Sequence, residues 1–149
     1  MEFQLSKSSI MIATLDHAHY MIQELPKWVN SDIEPVLQIA ALEDWFTNIR
    51  LIGEFYRISG KDKSSDFSVN DFFPDFVIDE EHKKELNELW LIASKHVSHL
   101  SRERLPEENV PVDPFDFTLE NLTRISIYVH QIYNDFKERL NETETRNLN

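Results

Sequence analysis

Residues 95–104, KHVSHLSRER, hold the side chains best suited to chemistry. His96 and His99 are spaced i, i+3, so on a helix they are neighbours on one surface. An imidazole titrates near neutral pH and can act as acid, base or metal ligand. The pair borders the apolar stripe of its helix on the Ile92 side, where a half-buried ring meets a polar group of the next helix. The expected partners are Arg50 and Glu54, which makes Arg50, Glu54, His96 and His99 the candidate catalytic set. Three chemistries are open. A metal site needs a further ligand, which Glu54, Asp44, His17 or His130 would supply. Acid–base work on an RNA phosphodiester needs a histidine with an arginine to hold charge. A polar pocket for a ligand or partner is the third. The structural alternative is that both rings hydrogen-bond to buried carboxylates and only orient helices. No H-x-x-x-H or E-x-x-H pair is present, and neither a metal nor a cofactor is expected.

The element expected to position this set is a second helix from Ser31 to about Ser59. Its apolar residues, from Ile33 through Trp45 and Phe46 to Tyr56, cover most of the helix circumference, as in a buried helix. A narrow polar strip remains: Glu43, Thr47, Arg50, Glu54 and Arg57. The pattern Ser31–Glu34 fits a capping box, with Pro35 in the first turn. Gly53 sits mid-helix, where it costs about 1 kcal/mol against Ala; close approach of another helix would compensate.

A first helix is expected from about Ser8 to Leu25, with Met11, Leu15, Ala18, Ile22 and Leu25 on one face and a stop or kink at Pro26. On it, His17 reads as a surface histidine and His19 as a semi-buried one. The Phe-rich stretch 66–79 predicts a loop with one helical turn near Val69–Phe73, capped by Ser68, whose rings plug the bundle end or form a docking surface. A third helix follows from about Glu80 to Leu105, with Leu86, Leu89, Trp90, Ala93, Val97 and Leu100 inward. After a proline-rich crossing, Thr118 caps a fourth from Leu119 to Leu140, with Leu122, Ile125, Val129, Ile132, Tyr133 and Phe136 inward. These predict an all-α, four-helix-bundle-like single domain with long loops over residues 1–141. A frayed polar tail is expected at 142–149.

Composition narrows the function classes. The 149 residues are 41% hydrophobic, enough for one core. There is no cysteine, so disulfides and thiolate chemistry are excluded. No apolar run approaches the roughly 18 residues a membrane span needs, and no secretory signal is evident; a cytoplasmic location is expected. The net charge of −12, from 27 acidic and 15 basic residues, lacks the general footprint of a nucleic-acid binder.

Three blocks resemble a family of uncharacterised bacterial helical proteins related to the HEPN domain (higher eukaryotes and prokaryotes nucleotide-binding): ALEDWFTNIRLIGEFY at 41–56, DFSVNDFF at 66–73 and KHVSHLSRER at 95–104. Arg50, Phe55, His96, His99 and Arg104 match the family's pattern, while Asn48 stands where a histidine is expected. HEPN ribonucleases carry an arginine followed, four to six residues on, by a histidine, and Arg124 and His130 have that spacing. The resemblance implies that Asn48, Arg104, Arg124 and His130 bind substrate, that a symmetric homodimer brings Arg124 and His130 into one cleft, and that the ligand is a nucleotide or RNA, as in toxin–antitoxin or phage-defence systems. The alternatives are a non-catalytic, acidic protein-interaction module and a metal-dependent bundle enzyme.

Overall fold

The computed structural model describes residues 6–58, 67–98 and 118–147, except the side chains of 95–98 and 147. It is all-α: five helices, and no strand among the described residues. Ser6 caps α1, Lys7–Val29, its Oγ accepting from the Ser9 N–H at 3.1 Å. Leu15, Ala18, Ile22 and Leu25 are buried on one face, as their spacing predicts. Of the stop or kink expected at Pro26, the stop does not occur: the proline lies inside α1 and is itself buried. A proline leaves the carbonyl four residues back without its helical partner. Here that carbonyl belongs to Ile22, and it accepts from Trp45 Nε1 of α2 at 3.2 Å and from Ser126 Oγ of α5 at 2.8 Å. Two neighbouring helices supply the missing bond, so the helix runs on.

The next helix, α2, spans Pro35–Phe55 and starts later than the capping-box pattern predicts. Proline forces the residue before it out of the helical region, and Glu34 is extended (φ −52°, ψ 132°). Pro35 therefore takes the first helical position. Ser31 instead closes α1, its Oγ donating to the Trp28 carbonyl at 2.9 Å. The expectation that α2 is sheathed along its whole length also fails. Trp45, Phe46, Ile49, Ile52 and Phe55 are buried, but Val36, Leu37 and Ile39 are 69%, 54% and 58% exposed. Burial among the described residues is thus concentrated in the second half of α2.

Past α2 the chain forms a complete Schellman motif. The Arg57 N–H bonds to the Glu54 carbonyl at 3.2 Å, and the buried Ile58 donates its N–H to the Gly53 carbonyl at 2.9 Å. The short helix α3, Val69–Phe72, opens with the capping box Ser68/Asp71. The rings of Phe72, Phe73 and Phe76 then gather edge-on around the fully buried Phe136. This segment is a plug at the bundle end.

Helix α4, Glu80–Ser98, is capped by Asp79, whose Oδ1 accepts from the His82 N–H at 3.1 Å. Thr118 caps α5, Leu119–Asn147, as expected. The end expected to fray is helical through Asn147, with residues 141–146 exposed. Thr143 and Thr145 bond back to the carbonyls of Arg139 and Asn141. Helix α1 packs on α2 and α5, and α2 packs on α4. The Arg124–Glu85 ion pair links α5 to α4.

Where α2 meets α4, a Cβ on Gly53 would lie 2.5 Å from Cδ1 of the Trp90 indole. This close approach is the packing reason for a mid-helix glycine. Gly53→Ala is expected to destabilise the fold by about 1–3 kcal/mol in urea denaturation, despite the roughly 1 kcal/mol by which Ala is the better helix former. Adding Trp90→Leu should recover most of the loss, and a Gly53→Ala protein as stable as wild type would refute the account.

Candidate functional site

The polar strip on α2 lies at the surface. Arg50 donates from Nε to Glu54 Oε1 at 3.2 Å, with side chains 36% and 49% exposed. An exposed i, i+4 pair contributes a few tenths of a kcal/mol. Its proposed partners are not described: His99 and Arg104 lie outside the described residues, and His96 contributes only its backbone, within α4. Asn48 is buried and engaged inside its own helix, donating to the Asp44 carbonyl at 2.8 Å and to Asp44 Oδ1 at 3.3 Å.

Arg124 and His130 face different neighbours. The Arg124 guanidinium is ion-paired with Glu85 of α4 and lies 6.0 Å from the Tyr128 ring centroid. His130 is half-buried, 6.3 Å from the ring of Tyr133, and no hydrogen-bond partner for its Nδ1 is among the described residues. One chain does not bring the two together. Among the described residues, no group of three or more His, Asp or Glu is placed to hold a metal ion, and no helix is long and apolar enough to cross a membrane.

The structure does assemble polar groups at two places that the motifs did not indicate. The first is buried between α1, the end of α2 and α5. His19, 3% exposed, stacks on Tyr133 at 4.0 Å and meets Tyr56 edge-on at 6.3 Å. The Tyr133 hydroxyl donates to Asp16, whose carboxylate also accepts from Lys137 Nζ at 3.2 Å. Nε2 of His19 and the Tyr56 hydroxyl are buried without a hydrogen-bond partner among the described residues. Burial is the main cause that pushes the His19 imidazole down to about 3; the nearby His130 adds to it, and Asp16 opposes it. Burial likewise raises both phenols, helped at Tyr56 by Tyr133 and Asp135 and at Tyr133 by the bond to Asp16. At neutral pH His19 and both phenols are therefore uncharged, and the Asp16–Lys137 ion pair lies at the rim. The apolar spacing of α1 runs through His19, one turn from Leu15 and from Ile22, which was the available signal.

The second is a half-open cavity of about 210 Å³ between the end of α2, α3 and the start of α4. Arg57, Lys83 and Asn70 supply its polar groups, and Phe76, Val77 and Ile78 its apolar wall. Comparison with known proteins finds no family model, no curated protein and no solved structure that matches the chain.

The buried histidine gives the fold a defined acid response. In the unfolded chain His19 binds a proton below about pH 6.5; in the fold it does so only near pH 3. Between these limits the unfolded state holds more protons, so stability is full above the upper limit and falls as the pH drops towards the lower. The expected loss from this residue is up to about 1.4 kcal/mol per pH unit. His19→Phe, which keeps a ring on Tyr133, should flatten the urea-denaturation profile by about one proton between pH 6 and 4. A variant whose profile parallels the wild type would rule this out.

Proposed function

We propose that this chain is an acidic, non-catalytic protein-binding domain that docks its partner on the exposed start of α2. The observation that carries this reading is the solvent-facing group Val36, Leu37 and Ile39. Val36, Ile39 and Ala40 follow i, i+3, i+4 spacing, so they form one continuous strip. Covering a large aliphatic side chain contributes about 1.5–3 kcal/mol, and a contiguous apolar strip rimmed by polar residues is the usual mark of a binding site. Asp32, Glu34 and Glu43 are exposed around it, on a chain of net charge −12. The fitting occupant is a helix with an apolar stripe flanked by Lys or Arg. The Phe-rich segment is a poorer candidate, because its rings are spent on Phe136.

The nucleotide- or RNA-binding reading implied by the HEPN resemblance draws less support. Arg124 is engaged by Glu85 while His130 neighbours Tyr133, so a second copy would have to complete the pair.

Fluorescence anisotropy with two labelled amphipathic helices, identical in their leucine stripe but flanked by Lys or by Glu, tests the docking surface. The Lys-flanked helix is expected to bind, and to bind more weakly at high salt. Val36→Asp and Ile39→Asp should abolish binding without lowering the Tm, since both positions are exposed. Indifference to the flanking charge would sink the reading. A dimer that Ile39→Asp dissociates would assign the strip to a second copy instead.

A further inference from the structure

We infer that Trp28, at the end of α1, is the anchor that the docked helix seats on. This rests on the docking reading above and names the residue that carries most of its affinity. The strip on α2 is then one half of a two-helix surface, and the indole is the other half. Tryptophan is mostly buried in folded proteins. Trp45 is fully buried in the core and Trp90 packs against Gly53, whereas Trp28 is 48% exposed.

The register of the first two helices places Trp28 beside the strip. The short connector 30–34 makes α1 and α2 an antiparallel pair. The bond from Trp45 Nε1 to the Ile22 carbonyl fixes how they align. Equal steps along both helices from that point bring Ile39 about level with Trp28 and Leu37 about level with Asn30. Leu37, Ala41 and Trp45 follow at i, i+4, i+8, so Leu37 continues the row that Trp45 directs at α1. On α1, Met21, Leu25 and Trp28 follow at i, i+4, i+7. Met21 packs on the core and Leu25 is buried in it, so Trp28 is where that row comes out at the end of the hairpin.

The indole is also held in place. Ser31 donates its N–H and its Oγ to the Trp28 carbonyl at 3.3 and 2.9 Å, and its own carbonyl accepts from Gln38 Nε2 at 2.6 Å. The turn carrying Trp28 is thereby tied to the second turn of α2, and a surface ordered in advance loses less entropy on binding. Tryptophan leads the residue types that dominate interface energy, provided that neighbouring contacts exclude water around it. Val36, Leu37 and Ile39 supply those contacts. Asp32 and Glu34, exposed in the connector between Trp28 and Val36, face the basic flank of a helix laid across the hairpin end. Lys27, whose Nζ lies 5.9 Å from the centre of the Trp28 ring, is ion-paired with Glu24 within α1, so this cation carries its own counter-charge.

Titration of the full chain with the Lys-flanked helix, made without tryptophan, tests the anchor. Trp28→Ala should weaken binding by at least about tenfold and leave the Tm unchanged. Tyr20→Ala, at another exposed aromatic of α1, should bind like wild type. Acrylamide quenching that is present in wild type and lost in Trp28→Phe reports on this one indole, and the bound helix should suppress it. A Trp28→Ala protein that binds like wild type, a Tyr20→Ala protein weakened as much as Trp28→Ala, or an indole still quenched in the complex overturns the inference while the docking strip stands. No binding of the helix by wild type removes both.

Discussion

Because Pro26 has no N–H, the carbonyl of Ile22 one turn earlier has no partner inside α1. Left buried and unpaired, such a group costs about 1–3 kcal/mol. The rest of the bundle is arranged so that this does not happen. The Trp45 indole reaches it from α2, and the Ser126 hydroxyl reaches it from α5. Ser126 is also 2.8 Å from the Leu122 carbonyl, so its single proton is shared between its own helix and α1. Trp45 and Ser126 are buried at 0% and 6% exposure, and each bond fixes the rotation of its helix against α1. Hydrophobic burial holds the three helices together but is non-directional; the proline-freed carbonyl supplies the direction.

That constraint also sets the chemistry nearby. With α1 and α5 locked at Ile22, the helical repeat carries His19 onto Tyr133 and Asp16 against Tyr133 and Lys137. The interior tolerates these polar groups because they are neutral where they are deepest. Desolvation removes the proton from His19 and keeps it on both tyrosines. The charge stays at the rim, where Asp16 and Lys137 are half-buried and satisfy one another. Polar residues inside a small bundle thus restrict how helices can slide, since a slip of one turn would strand several of them.

Periodicity made much of this fold legible. The inward faces of α1 and α5, the cap at Thr118 and the turn at Ser68 all follow from local spacing. The glycine at 53 was legible too, as a position needing an approach by another helix, though only the coordinates identify the Trp90 indole. The misreadings share a cause. Pro26 reads as a stop or a kink, and the stop fails because the rescue of its lost bond comes from Trp45 and Ser126, far along the chain. Ser31 reads as a cap because the pattern fits, but Pro35 overrides it through Glu34. The start of α2 reads as buried because apolar residues are counted without knowing which neighbours reach that far. The polar places failed for a different reason. Arg57 and Lys83 are distant in sequence, and nothing in either segment announces that a loop will set them on one cavity.

The exposed start of α2 and the cavity beyond its end are well separated along the helix. The apolar strip occupies the first turns of a helix of 21 residues, and the cavity adjoins the turn after its end. At 1.5 Å per residue they stand about 30 Å apart. Between them, Trp45, Phe46, Ile49 and Ile52 pack α2 against its neighbours. Substitutions at sites this far apart, with no shared partner, have additive effects. Lys83, which lines the cavity, belongs to α4, the helix that Gly53 and Trp90 lock onto α2. The end of α2 that Arg57 closes with a positive φ is also the end where Ile52, Phe55 and Tyr56 are buried in the core.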